Sequence, residues 1–80
     1  MMAGVIAYLL CMCRKNSEHE AVRKIMKIGC VEEAYITYGE VDLIVKVVCD
    51  TMQELDNVVI NKVRKIPGIE STRTLIAVTS

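Results

Sequence analysis

The stretch YGEVDLIVKV, residues 38–47, decides the fold, because a glycine turn leads directly into a strand. From Val41 to Cys49 every second residue is apolar, which is the pattern of a strand with one buried face. Asp42 lies on the other face, one step after the turn. A carboxylate there either accepts hydrogen bonds from the protein or binds a ligand that brings its own donors. We therefore expect a hairpin turn at Gly39–Glu40 and a candidate binding residue at Asp42.

The elements around this stretch follow a β-α-β-β-α-β order. They are predicted as strands at residues 3–12, 31–38, 41–49 and 69–78, with a helix from Ser17 to about Ile28 and a second from Thr51 to about Ile66. Each helix is predicted to begin with a capping box, Ser17 with Glu20 and Thr51 with Glu54. The predicted buried stripes are Ala21, Val22, Ile25, Met26 and Ile28, and Met52, Leu55, Val58, Val59, Val63 and Ile66.

An internal repeat supports this order. Residues 24–32, KIMKIGCVE, align without gaps with residues 62–70, KVRKIPGIE. Two related halves of one domain would produce such a match. The sequence thus predicts an α+β protein of the ferredoxin-like class, with a four-stranded antiparallel sheet and two helices on one face.

The composition favours one domain, residues 1–80, that associates with other copies of itself. A chain of 80 residues buries only roughly 60–65% of its unfolded surface, so its own core is small. Yet 52% of the residues are hydrophobic, and the first and third strands are apolar on both faces. We expect the sheets of two chains to associate as a homodimer, as in a dimeric α+β barrel.

The charge balance and the N-terminal segment limit the possible partners. Ten basic and ten acidic residues give no basic face for nucleic acid, so no direct nucleic-acid partner is expected. Residues 1–13 are apolar, but the basic pair Arg14–Lys15 follows them and they are too short to span a bilayer. A cytoplasmic protein without a membrane partner is expected.

The four cysteines, Cys11, Cys13, Cys30 and Cys49, have two interpretations. Cys11 and Cys13 point to the same side of a strand and could form a metal-binding pair. Their spacing is not that of a zinc site, however, and His19 lies apart in a polar helix start. Small buried hydrophobic residues in a reducing compartment are the favoured interpretation, with no metal and no cofactor.

The polar start of the last strand, Ser71–Thr74, is a second candidate binding segment. Its hydroxyls and Arg73 could hold a carboxylate. Equally, polar residues could simply protect an edge strand. No catalytic motif, phosphate loop or dinucleotide fingerprint is present in the sequence, so an enzyme is not expected.

Four segments together resemble the effector domain of the leucine-responsive and asparagine regulators, the Lrp/AsnC transcription factors, also called the RAM domain. They are AYLL at residues 7–10, YGEVDLIVKV at 38–47, VRKIPGI at 63–69 and STRTLI at 71–76. The resemblance implies a ferredoxin-like domain that dimerises through its sheets, with dimers assembling into rings. It also implies that an amino acid effector binds between dimers.

Residue roles follow from the resemblance. Gly39 and Glu40 would offer backbone groups, Asp42 would bind the amino group, and Thr72 and Thr74 would hold the carboxylate or side chain. Tyr38 and Val41 would shape the pocket.

This chain begins at strand one, whereas the family's regulators carry a DNA-binding helix-turn-helix before it. It therefore resembles a stand-alone effector domain. Two roles follow: sensing an amino acid, or joining full-length Lrp-type regulators as an assembly partner that binds no ligand.

Overall fold

A computed structural model describes residues 4–78 and contains one antiparallel sheet. The elements are β1 (Val5–Cys13), α1 (Glu18–Ile25), β2 (Val31–Ile36), β3 (Leu43–Cys49), α2 (Met52–Val58), a π-helical continuation (Val59–Val63) and β4 (Ile69–Ile76). The strand order is β2-β3-β1-β4, and both helices pack on one face. This arrangement confirms the predicted ferredoxin-like fold. The predicted start of the first strand, at residue 3, lies outside the described residues.

The alternation of the two central strands places the core. Ala7, Leu9 and Cys11 of β1 are fully buried against the helices, as are Leu43 and Val45 of β3. The helices contribute Ala21, Ile25, Leu55, Val58 and Val63 to the same cluster. Each large apolar side chain buried in this way contributes about 1.5–3 kcal/mol.

Two methionines predicted in the buried stripes are exposed. Met26 is 46% exposed and Met52 is 48% exposed. Met26 lies beyond the last residue of α1, where the helical period no longer applies, and Met52 is the first residue of α2. The prediction for these two positions was wrong because it extended the 3.6-residue period to the helix ends.

One of the two predicted capping boxes forms in part, and the other does not form. Thr51 has extended backbone, and its Oγ1 accepts a hydrogen bond from the Glu54 amide at 3.0 Å. Glu54 Oε1 in turn accepts from the Asp50 amide rather than from Thr51. Ser17 has φ −104° and ψ −1° and makes no side-chain cap. A capping side chain needs extended backbone at the cap residue, so the Ser17–Glu20 prediction was wrong.

The second helix changes pitch where an uninterrupted helix to Ile66 was predicted. After Val58 the chain forms a π-helical turn, in which the Arg64 amide donates to the Val59 carbonyl at 2.9 Å. Val58, Val59 and Val63 all remain buried across this change. The wider turn thus keeps the apolar residues directed at the sheet.

The repeat seen in the sequence is also a repeat of hydrogen bonds. After α1, the Ile28 amide donates to Ile25 O at 3.0 Å and the Val31 amide to Ile28 O at 3.0 Å. After α2, the matched bonds join Ile66 to Val63 at 3.1 Å and Ile69 to Ile66 at 3.2 Å. The first turn begins directly after Ile25, so α1 ends before the predicted Ile28.

The β2–β3 hairpin is wider than the predicted two-residue turn at Gly39–Glu40. Strand pairing ends at Ile36 and Leu43, and the Thr37 amide donates to Asp42 O at 2.9 Å. These bonds enclose a four-residue loop, Tyr38–Val41. The strands were predicted to reach Tyr38 and to start at Val41, but the Asp42 amide donates to Cys11 O on β1 at 2.9 Å and ends the regular hairpin there.

The last strand also ends earlier than the predicted residue 78. The final bond to β1 runs from the Ala77 amide to Ile6 O at 2.8 Å. Regular pairing therefore stops at Ile76, although β1 itself extends to Val5.

Candidate functional site

Most of the predicted ligand residues lie near the C-terminal end of β1, and Thr74 lies opposite its middle residue, Leu9. The loop Tyr38–Val41 precedes β3 on one side of β1, and Thr72 and Thr74 belong to β4 on the other. Thr72 pairs with Cys11, and the Asp42 amide bonds to the same residue from the opposite side. Two strand spacings of about 4.8 Å separate the flanking backbones, roughly 10 Å in all. The fold therefore brings Asp42 and Thr72 to the same end of the sheet.

Asp42 is held by a backbone donor. The Cys13 amide donates to Asp42 Oδ2 at 2.7 Å, where the pairing of β1 with β4 shifts register between Met12 and Cys13. This bond satisfies a partly buried amide beside the irregularity. Among residues 4–78, hydrogen bonds engage only this oxygen of the carboxylate. The other oxygen, Oδ1, is available to a further donor.

The loop beside Asp42 is open. Gly39 has φ +135°, and no atom lies within 4 Å of where a Cβ would stand. Tyr38 is fully exposed, and Val41 is half-buried, with its carbonyl accepting from Thr37 Oγ1 at 2.7 Å. A positive φ favours glycine, and the missing side chain lets another molecule approach the backbone.

The two threonines differ in exposure. Thr72 is half-buried, whereas Thr74, paired with Leu9, is exposed and lies about 7 Å farther along the strand. Their pairing with Cys11 and Leu9 puts both side chains on the helix-covered side of the sheet. The two threonines and the loop Tyr38–Val41 form an open surface rather than an enclosed cavity. We call this surface the shelf.

Carboxylates surround the thiol at this end of β1. Burial first, and then the nearby negative charges of Asp42, Glu18 and Glu70 in that order, raise the pKa of the Cys13 thiol to about 11. A thiolate is therefore disfavoured here. The same carboxylates would favour a ligand that carries a positive charge.

A different feature was missed by sequence reasoning. The face of the sheet without helices contains a pocket of about 210 Å³, lined by Tyr8, Glu33, Tyr35, Ile44 and Lys46. Tyr35 OH donates to Glu33 Oε1 at 3.0 Å, which raises the tyrosine pKa, and Lys46 Nζ lies 3.6 Å from Glu32 Oε1. None of the predicted ligand residues lines this pocket. The apolar alternation predicted the face without helices. The pocket could not be predicted, because it depends on the register between neighbouring strands.

The open face is apolar, as the alternation predicted. We call it the open sheet face; its apolar members are Ile6, Tyr8, Leu10, Met12, Tyr35, Ile44, Val48 and Leu75. Tyr35 is 56% exposed and Leu75 is 50% exposed. An apolar surface of this extent is typical of an interaction surface.

The cysteines fall into two groups. Cys11 is fully buried, and burial followed by the neighbouring Cys13 raises its pKa to about 12. Within residues 4–78, the three potential metal ligands that converge are instead Cys30, Cys49 and Glu54. The sequence offered only Cys11 and Cys13 as a possible metal pair and favoured no metal, whereas Cys30 and Cys49 come together only through the pairing of β2 with β3.

Within the described part of the chain, no helix is long and apolar enough to cross a membrane. His19 is exposed on α1.

Comparisons with known proteins agree with this geometry. The family model described as the Lrp/AsnC ligand binding domain matches residues 6–80. The regulatory protein AsnC of Escherichia coli K12 is 41% identical over 56 residues, which cover 70% of this chain and 37% of that protein. The chain thus spans little more than a third of this curated relative.

Solved structures show the same fold. The hypothetical protein PHS023 from Pyrococcus horikoshii superposes with a TM-score of 0.88 and 42% identity, covering 95% of this chain and 92% of the other. The transcriptional regulator NMB0573 of Neisseria meningitidis, solved as a complex with L-Met, gives a TM-score of 0.86 at 17% identity. It covers 95% of this chain and 51% of the other. With the family match over residues 6–80, these observations establish that the chain belongs to the Lrp/AsnC ligand-binding domain family.

Proposed function

We propose that the protein is a non-catalytic module that binds an amino acid and assembles through its sheets, acting in transcription regulation or amino-acid sensing in the cytoplasm. The observation that carries the proposal is the Asp42 carboxylate. One of its oxygens is held by the Cys13 amide, no donor among residues 4–78 engages the other, and the loop that precedes Asp42 is open at Gly39.

The amino group of the ligand is assigned to Asp42. Its fixed Oδ2 orients the carboxylate, which leaves Oδ1 to accept from an ammonium. Hydrogen bonds to charged groups contribute about 1.5–3 kcal/mol each. Glu18 and Glu70, whose charges also act on the Cys13 thiol, add negative charge at this end of β1.

The remaining ligand contacts come from the loop and β4. The backbone of Gly39 and Glu40 is open to a ligand, and the hydroxyls of Thr72 and Thr74 suit its carboxylate or side chain. Tyr38 and Val41 are assigned to shape the ligand pocket. In the relative from Neisseria the bound molecule is L-Met. That complex supports an amino acid as the class of ligand without specifying which one binds here.

A second copy of the chain is needed to close the site. The shelf around the end of β1 is open, and Tyr38 extends fully into solvent. We assign the open sheet face to a homodimer and the shelf to the contact between dimers in a ring. Binding would then be coupled to assembly, because a ligand that binds only the assembled form stabilises that form.

Thermal unfolding in the presence of each of the twenty amino acids tests this proposal. We expect at least one to raise the unfolding midpoint, and Asp42→Asn to abolish that rise. Asn keeps an oxygen that can accept from the Cys13 amide but loses the charge that pairs with an ammonium. A wild-type protein that responds to no amino acid would contradict the ligand assignment.

The alternative function is an assembly partner of full-length Lrp-type regulators that binds no ligand. The apolar open sheet face favours it, because that face suits association whether or not a ligand is present. Mixing the protein with a full-length relative and sizing the complexes separates the two functions. Mixed oligomers that form equally well with Asp42→Asn and without amino acid favour the alternative.

A further inference from the structure

Two thiols and a carboxylate converge at the end of β3 that lies farthest from Asp42. Cys30 directly precedes β2, Cys49 is the last residue of β3, and Glu54 lies in the first turn of α2. The Sγ atoms of the two cysteines and one carboxylate oxygen of Glu54 all lie within 4.8 Å of one another. Cys30 Sγ donates to Glu54 Oε2 at 3.3 Å.

A tetrahedral cation needs its ligand atoms somewhat inside this 4.8 Å limit. Zinc bonds of about 2.3 Å to sulfur and about 2.0–2.2 Å to carboxylate oxygen place neighbouring ligand atoms roughly 3.5–3.8 Å apart. Thiolate ligands select soft or borderline cations over magnesium and calcium.

The backbone holds the three ligands in place. The Val48 amide donates to Cys30 O at 2.9 Å, which ties the residue before β2 to the end of β3. Glu54 Oε1 accepts from the Asp50 amide at 2.7 Å, so the carboxylate is oriented while Oε2 stays directed at the thiols. Support of this kind from outside the ligand set is typical of metal sites.

The cluster is also accessible. Cys49 is 3% exposed, whereas Cys30 and Glu54 are half-buried. A cation can therefore enter from the side of Cys30 and Glu54 and keep one water from solvent as its fourth ligand.

We propose that Cys30, Cys49 and Glu54 bind a thiophilic divalent cation of the zinc type, which fastens the start of β2 to the end of β3 and to α2. Each thiol releases its proton to solvent as its sulfur bonds to the metal. This inference departs from the sequence prediction of no metal. It is also independent of the amino acid site, which uses the other end of β3.

Cobalt titration of the fully reduced protein tests the site. Co²⁺ replaces zinc and absorbs in the near ultraviolet when thiolates bind it. We expect this absorption to saturate at one equivalent of Co²⁺, and Zn²⁺ to reverse it and to raise the thermal unfolding midpoint. Glu54→Gln should weaken binding about tenfold or more, since loss of supporting residues outside the ligand set alone costs 10–100-fold.

Single cysteine variants identify the ligands. Cys30→Ala and Cys49→Ala should each lose the absorption, whereas the matched control Cys13→Ala should keep it. Circular dichroism establishes that each variant is folded. If Cys49→Ala does not fold, the test rests on Cys30→Ala, because Cys30 is only half-buried. The proposal is overturned by a reduced wild-type protein that shows no absorption. It is equally overturned by absorption that survives Cys30→Ala, or by a Cys30–Cys49 disulfide with no metal binding after its reduction.

Discussion

Asp42 directly precedes β3, and Glu54 lies in α2 beyond the other end of that strand. Each accepts a hydrogen bond from a backbone amide at 2.7 Å. Their second oxygens differ. Glu54 Oε2 accepts from the Cys30 thiol, whereas no donor of the described chain engages Asp42 Oδ1. The Glu54 carboxylate thus belongs to a closed cluster of protein groups, whereas the Asp42 carboxylate is open and lies beside an exposed loop. A carboxylate held by one oxygen alone is prepared for an external donor, which is why we assign the amino acid to Asp42 and a cation to Glu54.

Among substitutions at the Asp42 and Glu54 ends, Asp42→Ala is expected to cause the largest loss of folding stability. It leaves the partly buried Cys13 amide without its acceptor, which costs about 1–3 kcal/mol. Asp42→Asn keeps an acceptor oxygen and should cost markedly less. Urea unfolding measures both. Equal losses in the two variants would mean that the Cys13 contact does not stabilise the loop.

At the Glu54 end, Thr51→Ala is expected to cost about 1 kcal/mol, because the Thr51 hydroxyl caps the Glu54 amide. Ser17→Ala is the matched control at the start of α1. Since Ser17 makes no cap bond, its replacement should cost no more than a few tenths of a kcal/mol. The same urea experiment compares them, and a larger loss at Ser17 would contradict the capping assignment.

The smallest effect is the pH dependence contributed by Glu54. The Asp50 amide, followed by the Cys30 thiol, lowers the pKa of Glu54 below its ordinary value of 4.5. A carboxylate with a lowered folded-state pKa stabilises the protein above its unfolded-state pKa, and that contribution disappears as the pH falls through the folded-state value. The loss therefore begins below 4.5.

Unfolding midpoints in urea from about pH 6 to about pH 3 measure this contribution. Glu54→Gln should flatten the acid limb of the profile. Glu40→Gln, which removes an exposed loop carboxylate without a hydrogen bond among residues 4–78, should leave it unchanged. Parallel profiles for wild type and Glu54→Gln would show that the Asp50 contact has no effect on stability.

Much of the fold follows from local patterns. The alternation in β1 and β3 predicted which side chains are buried. The repeat predicted two related halves, and the structure adds that equivalent turns follow Ile25 and Val63. The errors lie where tertiary contacts override local preference. Ser17 has capping chemistry but helical backbone, and the predicted tight turn at Gly39 opens because Asp42 bonds to β1.

The candidate sites divide in the same way. Asp42 stood out because a charge follows a glycine turn inside an apolar run, a local signal. The position of Thr72 opposite Cys11 could be inferred only from the fold. Cys30 and Cys49 carry no local signal at all, since their convergence depends on the register of β2 against β3.

Calorimetric titration of wild type, Asp42→Asn and Glu54→Gln with the stabilising amino acid tests the central claim most directly. The loss of one charged hydrogen bond, about 1.5–3 kcal/mol, should weaken binding to Asp42→Asn by roughly ten- to a hundredfold. Glu54→Gln should bind like wild type. Equal affinity of Asp42→Asn and wild type would contradict the assignment of Asp42 as the residue that binds the amino group.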